Sequence, residues 1–265
     1  MKLSYKLYPF LNQDSNKKSI GDIIILHGLF GSSKNWVTVG KFLSEFGNVY
    51  TLDQRNHGDS PHSAEHSIQV MAGDLEEFIL THQIQKPVLL GHSMGGLVAM
   101  YFDLTHPGLL QELIIQDIAP RSYPFAYDNE IASMSFPLVG FSSRTEIDQE
   151  MAKFVSDSFI RQFLQMSLER KEDGSYHWKL NVDGLNHARR VFEDVFTFDQ
   201  TSETPTLFLL GGESDYIRES DFSLMDRFFD KNQKVRIKGG GHYIHFTHQK
   251  EYLDQLGKWL QSEFT

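Results

Sequence analysis

The chain has 265 residues, 40% of them hydrophobic and 13% aromatic, enough for a well-buried core in one large domain or two small ones. Its formal net charge is -10 with the acidic residues scattered, which excludes a nucleic-acid footprint and a polybasic membrane patch. No cysteine is present, so disulfides, thiolate metal sites and cysteine nucleophiles are excluded together, and a soluble, cytoplasmic protein is the expectation although the redox compartment stays open.

At the N-terminus Leu3, Tyr5 and Leu7 alternate with polar residues, and no apolar core with a small-residue cleavage site follows, so the pattern predicts a strand and no signal peptide. From Gly21 onward short apolar runs alternate with helical periodicity, the signature of a mostly parallel central sheet with helices on both faces. The strand runs are Ile23 to Gly28, Asn48 to Asp53, Pro87 to Ser93, Leu113 to Ala119, Thr206 to Gly212 and Lys234 to Gly240. Each reads as nearly all apolar, as a strand buried on both faces must be. Between them, Val70, Met71, Leu75, Phe78 and Ile79 recur at helical spacing, and Tyr252, Leu253, Leu256, Trp259 and Leu260 do so near the C-terminus. No apolar run is long enough to insert in a membrane.

The rhythm breaks between Arg121 and about Gln200, where no strand run appears and aromatic residues such as Tyr127, Phe136, Phe163, Trp178 and Phe198 interleave with charges. The expected organisation is an α/β fold with a core of residues 1–120 and 201–265. Residues 121–200 would form a mostly helical cap, inserted after the sixth strand and seated on the sheet.

The strongest local signal is Gly91-His92-Ser93-Met94-Gly95, a G-x-S-x-G between a strand run and a helical stretch. The flanking glycines permit a sharp turn that lifts the Ser93 hydroxyl out of the sheet, and the helix N-terminus behind it favours developing negative charge. A hydroxyl needs a base to become a nucleophile. Among the 12 histidines, His242 in Gly239-Gly240-Gly241-His242 follows the last strand run and falls at the sheet edge where Ser93 lies. His245 and His248 read as surface or helix-start residues. Two aspartates qualify to orient the imidazole, in the chain order serine, acid, histidine: Asp215 after one strand run, Asp117 after the preceding one in an apolar context. The oxyanion donors expected are the backbone N–H of Met94 and that of Leu29 in His27-Gly28-Leu29-Phe30-Gly31, with Phe30 close behind and His27 bracing the loop. Phe30 and His92 are candidate substrate-binding residues.

Together HGLFGS (His27 to Ser32), LDQRNHGDSP (Leu52 to Pro61), GHSMGG (Gly91 to Gly96), QDIAP (Gln116 to Pro120), GGESDYI (Gly211 to Ile217) and GGGHYIH (Gly239 to His245) resemble the YbfF-like esterases. These are bacterial relatives of the abhydrolase-domain-containing protein 11 group within the α/β-hydrolase superfamily. In the superfamily's usual pattern the acid stands three residues before a valine or isoleucine, a place taken here by Ser214 before Ile217. The resemblance to the YbfF-like enzymes implies instead that the acid is Asp117 of the DIAP segment, with Asp215 as the alternative. It also implies that Arg55, His57 and Ser60 form a structural turn. The activity implied is hydrolysis of a small carboxylic ester, or an acyl-CoA thioester, through an acyl-enzyme, without metal or organic cofactor, in a monomer or homodimer. Rival readings are carbon-carbon or methyl-ester cleavage on a pathway metabolite, the last with Arg161, Arg170, Lys171, Arg189 and Arg190 as a carrier-docking surface, and a non-catalytic ligand-binding protein.

Overall fold

The computed structural model describes residues 1–11, 18–193, 195–197 and 199–262, so Phe198 lies outside the described residues. The strands are β1 (Tyr5–Tyr8), β2 (Asp22–Leu26), β3 (Asn48–Leu52), β4 (Val88–His92), β5 (Glu112–Gln116), β6 (Leu168–Arg170), β7 (Tyr176–Trp178), β8 (Thr206–Gly211) and β9 (Asn232–Ile237). Seven of these form one sheet in the order β1-β3-β2-β4-β5-β8-β9. All its neighbours run parallel except β1, which pairs antiparallel with β3.

The isoleucine and leucine runs explain the layering. Alternate residues of a strand point to opposite faces. Ile23, Ile25, Val88, Leu90, Leu207 and Leu209 join one apolar cluster, while Ile24, Leu26, Leu89, Leu113, Phe208 and Leu210 join the other. Helices α1 (Val37–Leu43) and, later, α10 (Gln249–Ser262) cover the first face through Trp36, Val39, Leu43, Tyr252, Leu256 and Trp259. Helix α2 (Ile68–Thr81) is started by Ser67, whose side chain accepts from the Val70 N–H, and α3 (Met94–Thr105) is buried along almost its whole length. Both cover the second face. Each fully buried leucine, isoleucine or phenylalanine in these layers contributes about 1.5–3 kcal/mol relative to exposure.

Between β5 and β8 lie α4 (Asp128–Ser135), α5 (Arg144–Met151), α6 (Ser158–Gln165), the β6–β7 hairpin and α7 (Val182–His187), and after β8 come α8 (Phe222–Phe228) and the short α9 (Ile244–Thr247). Ile131, Met134, Ile147, Met151, Leu164 and Leu185 of the inserted helices belong to the same apolar cluster as the second sheet face. The insertion is tied down at its far end by Asn181, whose backbone N–H donates to the Asn56 carbonyl at 2.9 Å, and by the Lys179–Asp59 ion pair.

Three readings of the sequence are corrected. The insertion follows the fifth strand of the described residues, not the sixth, because β1 alone precedes β2. It contains a two-stranded antiparallel hairpin, whose three-residue strands are too short and polar to carry a period. β9 is an edge strand with only Ile237 buried, so its run was never flanked on both faces.

Candidate active site

In a parallel sheet every loop that follows a strand emerges at the same edge, and the crevice there collects the chemistry. The loops after β2, β4, β5, β8 and β9 bring Leu29, Ser93, Asp117, Ser214 and His242 to that edge. Ser93, the N-cap of α3, has φ +52° and ψ -119°, and Asp117 has φ +53°. Such conformations cost a non-glycine residue about 1–3 kcal/mol and persist only where the surroundings impose them. The glycines of the motif serve differently from the sequence expectation. A Cβ on Gly95 would stand 2.4 Å from the Leu26 carbonyl oxygen and one on Gly91 2.3 Å from that of Gly95. They let backbones cross in contact, while Ser93 itself takes the strained turn.

The structure brings Asp117 and His242 together. His242 Nδ1 donates to Asp117 Oδ2 at 2.7 Å, with the carboxylate fully buried. Asp117 Oδ1 accepts the Gly211 N–H at 2.8 Å, and Oδ2 also accepts from the Ser214 hydroxyl. The serine that stands where an acid was expected is thus a partner of the acid from the preceding strand. Asp215 is exposed and takes no part in these bonds.

His242 is held from behind as well. Its carbonyl accepts from His92 Nε2 at 3.1 Å and from Gln116 Nε2 at 3.3 Å. Its ring stacks on Tyr216, centroids 3.7 Å apart and planes 12° from parallel. The Tyr216 hydroxyl in turn meets that of Tyr127, the N-cap of α4, at 2.9 Å. His92 lines the cavity, and its N–H is committed to the His242 carbonyl. His245 departs from the surface reading: it is buried in α9, accepts from Gln116 Nε2 at 2.7 Å and stacks on Trp36 at 4.4 Å. Packing against Trp36, at the start of α1, outweighed the polar look of its local sequence.

Ser93, His242, Leu29 and Phe30 line one cavity of about 170 Å³, together with Tyr127, Glu130, Ile160, Phe163, Leu164, Tyr216 and Tyr243. Met94 is the first residue of α3, so its N–H has no partner within the helix. Of the two loop donors, Phe30 is committed, since its N–H donates to His57 Nε2 at 3.2 Å. Leu29, the other candidate, lines the cavity. His57 is fixed in turn by Nδ1 donating to the Arg55 carbonyl at 2.8 Å, and Arg55 by a bidentate buried pair with Asp74 at 2.6 and 2.8 Å. His27 braces the same loop, donating to the Gly28 carbonyl at 2.8 Å and accepting the Gln54 N–H at 3.0 Å. Burial lowers its pKa to about 4 and holds those of His57 and His92 well below the usual range, so these rings are neutral scaffolding.

Tyr216, Tyr127, Glu130 and Tyr243 were not singled out as site residues in the sequence. Tyr216 and Tyr243 left a signal, their places in the GGESDYI and GGGHYIH segments; Tyr127 and Glu130 arrive from the insertion by tertiary contact.

Comparison with known proteins agrees with this geometry. The profile of the alpha/beta hydrolase fold family matches residues 23–249. The chain is 34% identical over 250 residues to the sn-1-specific diacylglycerol lipase ABHD11 of Mus musculus, covering 90% of this chain and 80% of that protein. It is 34% identical over 248 residues to its namesake in Danio rerio, covering 90% and 78%. Among solved structures, a marine microorganism esterase superposes with a TM-score of 0.90 at 34% identity, covering 97% of this chain and 98% of that one.

Proposed function

The chain belongs to the α/β-hydrolase family, in its ABHD11 group, and is a hydrolase; on that premise we propose that it cleaves short-chain carboxylic esters by acyl transfer to Ser93. The observation that carries the reading is the His242–Asp117 bond of 2.7 Å beside a cavity that Ser93 and His242 share. In the proposed cycle His242 Nε2 takes the Ser93 proton as Oγ attacks the ester carbonyl, and Asp117 stabilises the imidazolium through Nδ1–H. The oxyanion develops against the N–H groups of Met94 and Leu29. Collapse expels the alcohol, protonated by His242, and water repeats the sequence to release the acid. Thioesters follow the same course.

The cavity favours short acyl groups. Its volume of about 170 Å³ is near that of a site for one small ring or a four-carbon chain, and Phe30, Ile160, Phe163 and Leu164 supply apolar wall. The carrier-docking reading gains no support, because Arg161 pairs with Asp148, Arg189 with Asp128 and Arg190 with Glu193.

The test is hydrolysis of para-nitrophenyl esters and acyl-CoA thioesters of increasing chain length by wild type and Ser93→Ala. The expected result is a maximum at the shortest chains that vanishes in the variant. A folded wild type inert on every member would overturn the proposal.

A further inference from the structure

The cavity wall carries one acidic side chain besides its aromatic and aliphatic residues. Glu130, in the first turn of α4, lines it alongside Tyr127 and Ile160, and no lysine or arginine lines it. Glu130 is half-buried and makes no ion pair among the described residues. It shares that lining with the phenols of Tyr127, Tyr216 and Tyr243, whose ionisation its charge disfavours. Partial burial disfavours its charge and raises its pKa, while the first turn of α4 and a backbone hydrogen bond favour the charge.

We propose that Glu130 selects the substrate by charge: it rejects esters that carry an anionic group into the cap side of the cavity and favours those that present a hydroxyl or a cation there. The proposal rests on the serine-esterase reading above. The physics is direct. Glu130 is a fixed negative charge in a small, partly dry cavity, where Coulomb energies exceed those in water several-fold. A carboxylate on the substrate meets repulsion, and also loses its own hydration without gaining a donor. A hydroxyl donates to Glu130, and an ammonium pairs with it. Half-esters of dicarboxylic acids are therefore poor substrates, whereas neutral esters with a free hydroxyl and choline-type esters are good ones.

The experiment compares kcat/KM at pH 8 for three probes: para-nitrophenyl butyrate, the mono-para-nitrophenyl ester of glutaric acid, and butyrylthiocholine. Wild type, Glu130→Gln and Glu130→Lys are assayed, with thermal melting to show that each is folded. Wild type is expected to discriminate against the glutarate half-ester relative to butyrate by about 10-fold or more, a typical penalty for like charge at a binding site. Glu130→Gln should narrow that ratio by about 10-fold, and Glu130→Lys should narrow it further while lowering the butyrylthiocholine ratio. If both folded variants keep the three ratios of wild type, the inference is overturned while the esterase reading stands. If wild type cleaves none of the three, the esterase reading fails and the inference falls with it.

Discussion

The sheet edge and the inserted segment both line one cavity and are built by different means. At the edge, Ser93 and Asp117 sit in strained backbone conformations and His242 is gripped at its ring nitrogen, its ring face and its carbonyl. In the inserted segment, Tyr127, Glu130, Ile160 and Phe163 reach in from α4 and α6, elements held mainly by apolar packing of Ile131, Met134 and Leu164. Bond-making groups need placement to a fraction of an ångström, which buried polar bonds and fixed dihedrals supply. A selecting wall needs shape and charge alone, and helix packing is enough. If the proposed roles hold, chemistry and selectivity can change independently in this molecule.

The sharpest way to break that comparison is at the acid. Asp117→Asn keeps the shape of the edge but removes the charge facing His242, and kcat should fall by about 10⁴, the loss typical when the acid of a serine-protease triad becomes an amide. Asp215→Asn, exposed and outside the bonded set, should stay within about threefold of wild type, as surface changes usually do. Steady-state kinetics of the two folded variants checks this, and an equal collapse of both contradicts the assignment.

The edge also rests on neutral histidines. His27, His57, His66, His92 and His245 are buried with pKa values lowered by burial, to about 4 for His27 and about 3 for His66 and His245. The unfolded chain binds protons near pH 6.5 and the folded one resists, so stability is fully present above about pH 6.5 and is lost as pH falls toward 4. His27 alone should remove on the order of 2 kcal/mol by pH 5. Urea denaturation at pH 7 and pH 5 measures it, and equal midpoints would contradict the burial argument.

A smaller effect is expected where the regions touch. Tyr216 gives its ring to His242 and its hydroxyl to Tyr127. Tyr216→Leu removes a π face that favours the imidazolium formed during the reaction, worth about 0.5–2 kcal/mol, so kcat should fall about 3- to 30-fold with KM little changed. Tyr216→Phe keeps the stack and should restore kcat. An unchanged kcat in folded Tyr216→Leu removes Tyr216 from the mechanism.

The same division governs what the sequence discloses. Ser93 is legible because its turn is local: two glycines, a strand before and a helix after are all within ten residues. His242 is legible from its place after the last strand, and the strands from their apolar runs. Asp117 was one of two choices until its distance to His242 was known, because pairing across 125 positions leaves no local trace. The burial of His245 depends on Trp36, and the hairpin β6–β7 on pairing between two three-residue strands. Glu130 was lost among other charges, since what makes it distinctive is the neutral wall that distant elements build around it.

The central claim is that Ser93 is acylated during turnover, and its most direct test is intact-protein mass spectrometry after acid quenching of a reaction with para-nitrophenyl butyrate. The expected result is a transient adduct of one butyryl group, mapped to the peptide that contains Ser93, formed with a stoichiometric burst of nitrophenol and absent from Ser93→Ala. Sustained hydrolysis by a folded Ser93→Ala protein, or an adduct on another residue that turns over at the steady-state rate, would contradict it.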